Sequence, residues 1–387
     1  VYVGKKKSKV NRATKELKGF KKISILKGDT KKLEREIDEC IDYLNGFLWS
    51  DIHQKQYFIV PKLNLVLRSN VDMYLFLDVT KEYRSNKRFL TRVAALLYIF
   101  TIAGILKLRL GRFFLKDISL EGSDFYPIII GGNNRLRFVD SSNSNALLIA
   151  KNSNSLLFTR NALRAYCQAN FSDLDLIPQI IPINDRVYLE KQIDGLAINR
   201  IALTDAQNES VNNSLDSFFA RQQDLSRDIS VSTFLRYKKS ILQNFSSGAK
   251  SRHISKLYKL FNSVSDKIEQ YFGITEVPVS HSHGDLNRGN VFLDQDRVSI
   301  IDWEYFMYRY AKYDAILYKH DLRHQPLSAY VEFIKGKQHL DFNVILFLLE
   351  ELSFRILNFK EDIADSQVYV DTVVELIYEN LLIDKVG

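Results

Sequence analysis

One stretch constrains this chain more than any other: His283–Glu304, HGDLNRGNVFLDQDRVSIIDWE. It sets Asp285, Asn290 and Asp302 around two apolar runs, Val291-Phe292-Leu293 and Val298–Ile301. A polar turn, Asp294-Gln295-Asp296-Arg297, separates them. Apolar runs flanking a turn predict a β-hairpin, and a hairpin returns Asp302 to the end where Asn290 stands. Phosphoryl transfer from a nucleotide needs such a set. One carboxylate accepts the proton of the attacking hydroxyl, while an amide oxygen and a second carboxylate hold Mg²⁺ against the phosphates. The D-x-x-x-x-N spacing of Asp285 and Asn290 is that of a kinase catalytic loop.

These residues resemble the aminoglycoside phosphotransferase and choline kinase superfamily. The family's H-G-D-x-x-x-x-N is met by His283, Gly284, Asp285 and Asn290. Its I-D-W/F-E is met by Ile301, Asp302, Trp303 and Glu304, and Tyr305 and Asp314 look like the choline kinase branch. The resemblance implies an α+β, protein-kinase-like fold with a small β-rich lobe and a large, mainly helical lobe. It implies ATP and Mg²⁺ as cofactors, Asp285 as catalytic base, His283 as a brace for the loop, and Asn290 and Asp302 as metal ligands. The implied acceptor is a hydroxyl of a small molecule: a sugar, an amino sugar or an amino alcohol. The competing reading is a non-catalytic nucleotide-binding pseudokinase or a membrane-recruited scaffold. No A-P-E-like end follows Asp302, which counts against a protein kinase.

The chain has 387 residues, 46% of them hydrophobic, enough for two or three domains with a sizeable core. Its two cysteines, Cys40 and Cys167, stand far apart and in no metal-ligand spacing. A reducing, cytoplasmic setting is the simple expectation. No secretory signal is visible, because no apolar segment directly follows the basic start.

The net charge of +8 is unevenly placed. Residues 1–22 hold nine Lys and Arg against one Glu, so they account for all of it. That segment reads as a basic tail. Nucleic acid is not expected as a partner, since no recognition motif accompanies the charge. A second basic segment, Arg84–Lys116, holds eight basic residues and no acid. Between Arg92 and Lys107 it runs through VAALLYIFTIAGIL, shorter than the roughly 18–20 residues needed to span a bilayer. Two readings stay open: a buried core helix with basic ends, or a helix lying in the interface of an anionic membrane through residues 84–116. The second would place the protein peripherally at the inner face of a membrane.

Further upstream, Leu33, Ile37, Ile41, Leu44 and Leu48 predict a helix over Lys31–Trp49. Tyr57–Leu67 and Met73–Val79 look like strands. Residues 23–118 form an extension after the tail. A nucleotide-binding lobe is expected over 119–195, and a catalytic and acceptor-binding lobe over 196–387.

In the nucleotide lobe, Tyr126–Ile130 and Arg135–Val139 predict two strands around Gly131-Gly132-Asn133-Asn134. Glycines there would let backbone N–H groups approach a phosphate, and a plain hairpin turn explains them equally well. Ala146–Ala150 then ends in Lys151, the position that contacts the α/β-phosphates in kinase-like enzymes. The resemblance calls for a Glu on the next helix to pair with that lysine. Leu156–Asn170 contains no acid, and Arg160 or Asn161 stands where the Glu would be. The substitute suggested by sequence is an acid of the Asp173–Asp175 turn.

The strand Arg186–Leu189 leads into Glu190-Lys191-Gln192-Ile193-Asp194-Gly195, which resembles the inter-lobe hinge, with backbone near Glu190 and Gln192 meeting the adenine edge. Helices are expected over His253–Phe272, 341–359 and 366–384. Two groups of residues are candidates for the acceptor. One is the aromatic series Trp303, Tyr305, Phe306, Tyr308, Tyr310, Tyr313 and Tyr318, which also reads as core. The other is Asp314 and Asp321 with His320 and His324, where Asp314 also reads as a helix cap.

Overall fold

The computed structural model describes residues 30–45, 53–84, 89–122 and 126–322, apart from 133, 141, 143, 168–174 and 245–250, and then 333, 341–358, 371–375 and 377. The basic tail and much of the 366–384 segment lie outside the described residues. Contacts divide the chain into two compact units. One comprises Lys21–Phe218 and Arg288–Phe306; the other holds Phe219–Asn287 and Met307–Gly387 together with the first residues of the chain. The α+β class expected from the sequence is borne out.

The strand-rich unit begins with helix α1 (Thr30–Asn45), strand β1 (His53–Val60) and strand β2 (Leu65–Arg68). Helices α2 (Met73–Val79), α3 (Lys81–Arg84), α4 (Phe89–Lys107) and α5 (Gly111–Phe114) follow, before β3 (Lys116–Gly122). Then come β4 (Ile128–Gly131), β5 (Arg135–Val139), β6 (Asn145–Ala150), α6 (Leu156–Cys167), β7 (Ile180–Pro182) and β8 (Val187–Lys191). These strands form one antiparallel sheet in the order β3-β1-β2-β4-β5-β6-β8-β7. The boundary expected near residue 118 therefore falls inside β3, and the extension and the nucleotide lobe share one sheet.

Alternation along the strands gives the sheet two apolar faces. Tyr57 and Ile59 of β1 face one way, with Val66, Ile129, Leu136, Phe138, Leu147 and Ile149. That face is covered by Ile37, Cys40, Ile41 and Leu44, one stripe of α1. Phe58 and Val60 face the other way, against Leu75 and Phe76 of α2 and Ile99, Ile102 and Leu106 of α4.

Met73–Val79 is a helix, not the strand its apolar run suggested. Asp72 stands extended just before it and its carboxylate accepts the Leu75 N–H at 3.0 Å, an N-cap that outweighs the alternation. Tyr57–Leu67 is broken into β1 and β2 by a short 3₁₀ turn at Pro61–Leu63 and by Asn64 at φ +54°.

The same unit contains β9 (Leu196–Ala197), most of α7 (Asp205–Asp224) and the hairpin β12 (Val291–Asp294) and β13 (Arg297–Ile300). Strand β12 pairs with both β13 and β9. Gly195 is required there, because a Cβ would lie 2.5 Å from the Leu293 carbonyl oxygen.

The helical unit holds β10 (Arg227–Ser230), α8 (Val231–Asn244), α9 (Ser251–Phe272), β11 (Glu276–Ser282), β14 (Met307–Tyr310), α10 (Tyr313–Lys319) and α11 (Phe342–Asn358). Strands β10, β11 and β14 form its three-stranded sheet. Helix α11 carries a buried charge that its apolar pattern concealed. Glu350 bonds Lys238 Nζ at 2.6 Å, Arg309 Nη1 at 3.2 Å and the Tyr310 N–H at 3.0 Å. The paired donors are what make a carboxylate tolerable there.

In the same unit, the His281 ring packs on Tyr308 with centroids 3.9 Å apart, and Arg227 lies 4.6 Å from that Tyr308 ring. Burial, and then the Arg227 charge, lower the His281 pKa to about 4. The unfolded chain takes up this proton near the ordinary value of 6.5, the folded chain near 4. Stability from this group is thus present above pH 6.5 and lost as pH falls from there through 4. Melting temperature is expected to drop across that window, and His281→Phe to flatten the drop. An unchanged pH profile in the variant would remove His281 as its source.

Candidate active site

The loop after β11 is held by a carboxylate. Asp314, fully buried in the first turn of α10, accepts the His283 N–H at 2.7 Å and the Gly284 N–H at 3.0 Å. Gln222 Nε2 also donates to it at 2.7 Å and to the His281 carbonyl at 3.0 Å. Asp314 therefore neither caps its helix nor offers itself to an acceptor; both its oxygens anchor the loop. Gly284 sits at φ +81°, a conformation that suits glycine. His283 is buried and its Nδ1 accepts the Asp285 N–H at 3.2 Å. Asn287 Nδ2 donates to the Asp285 carbonyl at 2.8 Å. Asp285 is thereby fixed at the end of a loop tied at several points.

In the strand-rich unit, the hairpin forms in the predicted register, with Val291 opposite Ile300. The Ile301 N–H donates to the Asn290 carbonyl at 2.9 Å, so Asp302 follows directly beside Asn290. Asp302 stands at φ +68°, ψ +51°, a left-handed conformation uncommon for a residue with a side chain. Its backbone turns the chain away from β13 into Trp303–Tyr305.

Asp302 and Glu304 share a cation that the sequence did not reveal. Arg135, the first residue of β5, donates through Nη2 to Asp302 Oδ1 at 2.8 Å and through Nε to Glu304 Oε1 at 2.8 Å. It also reaches the Tyr188 hydroxyl. Burial alone would lower the Arg135 pKa, but Glu304, Tyr188 and Asp302 raise it above its ordinary value, so the guanidinium stays charged. Asn134 Nδ2 adds a bond to Glu304 Oε2 at 2.9 Å, and Asn161 Nδ2 one to the Glu304 carbonyl at 2.9 Å. Asn161, at the position where the family's Glu was sought, thus docks α6 on the Trp303–Tyr305 turn.

Lys151 has its carboxylate, from an unexpected direction. Its Nζ lies 2.7 Å from Glu36 Oε2, and the lysine side chain is 3% exposed. Glu36 lies on α1, one turn before Cys40, whose thiol meets the Ala150 carbonyl. The helical repeat therefore places Glu36 over Lys151 just as it places Cys40 over Ala150. Burial pushes the Cys40 thiol up to about 12, so it stays a neutral core group. Of the acids expected as substitutes in the Asp173–Asp175 turn, Asp175 pairs instead with Arg297 at 2.8 Å, and Asp173 lies outside the described residues.

The glycine pair and the hinge are used internally. The Gly131 N–H donates to the Asn64 carbonyl at 2.9 Å and the Gly132 N–H to the Arg135 carbonyl at 3.0 Å. A Cβ at Gly132 would lie 2.7 Å from that same oxygen. The tight turn thus explains the glycines, and neither N–H points to a phosphate. At the hinge, Glu190 pairs with Arg137, whose Nη1 also donates to Gln192 Oε1 at 3.2 Å. The Lys191 and Gln192 N–H groups donate to the Gln179 and Ser144 carbonyls, each at 2.9 Å.

The aromatic series is largely packing. Trp303 Nε1 donates to the Ile300 carbonyl at 2.7 Å, and its ring meets Phe218 and Phe306 edge-on. Tyr310 and Tyr313 are buried, with hydroxyls on Asn343 and Glu351. His324 is outside the described residues.

Residues 259–339, which contain both motifs, match the model of the Phosphotransferase enzyme family. The match is confined to the part of the chain that carries the H-G-D-x-x-x-x-N and I-D-W-E residues. Residues 1–40 match a Fibronectin type III-like domain; the described part, residues 30–40, is helical. No curated protein sequence matches the chain. Among solved structures, the chain is similar to an ADP-bound aminoglycoside phosphotransferase, APH(2'')-Ib, at 15% identity and a TM-score of 0.42, covering 65% of this chain and 92% of that one. It is similar to an ethanolamine kinase of Plasmodium vivax at 16% identity and a TM-score of 0.40, covering 78% and 93%. It is also similar to the choline kinase LicA of Streptococcus pneumoniae at 13% identity and a TM-score of 0.40, covering 65% and 92%.

Proposed function

We propose that this protein transfers the γ-phosphoryl group of ATP, with Mg²⁺, to a hydroxyl of a small molecule such as a sugar, amino sugar or amino alcohol. The observation that carries the reading is the hairpin register that sets Asp302 beside Asn290, directly after the anchored Asp285 loop. The match of residues 259–339 to the phosphotransferase family supports it.

The donor chemistry of Asn290 and Asp302 suits Mg²⁺, which takes oxygen ligands and uses few of them from protein. Asp302 is 39% exposed at its side chain, so it keeps open surface beside its bond to Arg135. Asn290 and Asp302 would hold the ion, which when bound neutralises charge on the nucleotide phosphates. Asp285 accepts the proton of the acceptor hydroxyl. Lys151, aligned by Glu36, contacts the α/β-phosphates. Asp314 keeps Asp285 in place by holding the two residues before it.

The second reading, a nucleotide-binding protein without turnover, draws on the ion pair between Arg135 and Asp302, which places a cation where a metal ligand is expected. Thermal stabilisation by ATP with and without Mg²⁺, paired with ATP consumption across sugars, amino sugars and amino alcohols, separates the two. The proposal expects Mg²⁺ to enlarge the stabilisation, Asp302→Ala to erase that increment, and Asp285→Asn to abolish turnover. Stabilisation indifferent to Mg²⁺, with no acceptor consumed, would establish the second reading.

A further inference from the structure

Helix α4 is apolar on two sides. One side, Ile99, Ile102, Ala103 and Leu106, packs in the core beside Phe58, Leu65 and Ile128. The other carries large apolar residues into solvent. Leu90, Leu97, Phe100, Leu108, Phe113 and Phe114, from α4 through α5, are between 58% and 81% exposed. Leu90 and Leu97, two turns apart, form an outer stripe on α4 away from its core residues, with Leu108 just after the helix and Phe113 and Phe114 on α5. A patch of this kind on a folded protein marks an interaction surface.

Charge selects the partner. The segment Arg84–Lys116 holds eight basic residues and no acid. Arg92, Lys107, Arg109 and Arg112 are exposed around the apolar stripe. A second copy docking on this face would set two uncompensated basic rims against each other. An anionic lipid surface complements both features, taking the apolar side chains below its headgroups and the basic groups at their level.

Topology excludes a crossing. The helix has 19 residues and is long and apolar enough to span a bilayer by composition alone, longer than the uncharged run in the sequence suggested. Yet the strands on either side of it, β2 and β3, both pair with β1 in one sheet. Its inner side is also part of that unit's core. The helix must therefore lie along a surface.

We infer that the outer stripe of α4 and α5 docks this protein peripherally on an anionic lipid bilayer. The basic tail could hold anionic lipid by charge alone, so the test keeps charge constant. The full chain is sedimented with vesicles of phosphatidylcholine, with and without phosphatidylglycerol, as wild type and as L97S/F100S/F113S/F114S. These positions are exposed, and an unchanged melting temperature verifies the fold. The expected result is binding to the anionic vesicles that the serine variant weakens about tenfold or more. A further loss is expected when Arg92, Lys107 and Arg112 become glutamine. Wild-type protein that ignores anionic vesicles, or a folded serine variant that binds as well as wild type, would overturn the inference. So would a wild-type dimer in light scattering that the serine variant dissolves.

Discussion

Replacing Arg135 with methionine is expected to cost about 3–5 kcal/mol of stability, the range for breaking a buried ion pair by removing one partner. Arg135 is buried and bonds Glu304, Asp302 and Tyr188 at once. Its removal leaves the Glu304 carboxylate buried, with Asn134 retained as an uncharged donor to Oε2. Arg135→Met with Glu304→Leu should recover much of the loss, because the orphaned charge leaves with its partner. Urea unfolding of the two variants measures this; a single variant within about 0.5 kcal/mol of wild type, as at an ordinary surface site, would show that the triad contributes little. Asp302 also loses a cation at 2.8 Å. Nucleotide binding is therefore expected to need less Mg²⁺ in Arg135→Met. A greater need would reassign Arg135 to the phosphates.

Glu36→Gln should act through Lys151. Lys151 is almost wholly buried, and Glu36 holds it through a charge-assisted bond of 2.7 Å. The side chain of Glu36 is 19% exposed, which places the stability loss near or below the lower end of the ~3–5 kcal/mol range. Nucleotide affinity should fall about tenfold, the equivalent of roughly 1.4 kcal/mol. If Glu36 positions Lys151 for the phosphates, KM for ATP rises more than KM for the acceptor, and Glu36→Asp restores part of the difference. Equal changes in both constants, tracking the loss of stability, would reduce Glu36 to a packing residue.

What the sequence disclosed and what it hid follow from the range of the interactions. The β12–β13 hairpin was legible because its apolar runs and turn are contiguous, and register then fixes Asn290 beside Asp302. The strand order around Lys151 was legible for the same reason. Met73–Val79 was misread as a strand because a short apolar run fits either element, and the Asp72 cap that settles it as a helix lies outside that run. Glu36 was hidden because it lies 115 positions from Lys151, upstream, where the resemblance directs attention downstream. Arg135 meets Asp302 across 167 positions, and no local pattern announces such a pair. Asp314 reads in sequence as an acceptor group or a helix cap, and Glu350 stands unremarked in an apolar helical pattern. Only the donors around each show that the fold has buried it.

The pairing of β2 with β4 bears on how the protein can be divided. Leu65, Val66 and Leu67 lie against Ile130, Ile129 and Ile128 in unbroken ladder contact. A fragment starting near residue 119 would keep every recognisable motif. It would also present Ile128–Ile130 as a bare strand edge, an invitation to pair with other chains, and would leave Lys151 without its acid. If the proposed function holds, a piece of this polypeptide able to handle a nucleotide would therefore have to begin before Glu36, far ahead of the residues by which its chemistry is recognised.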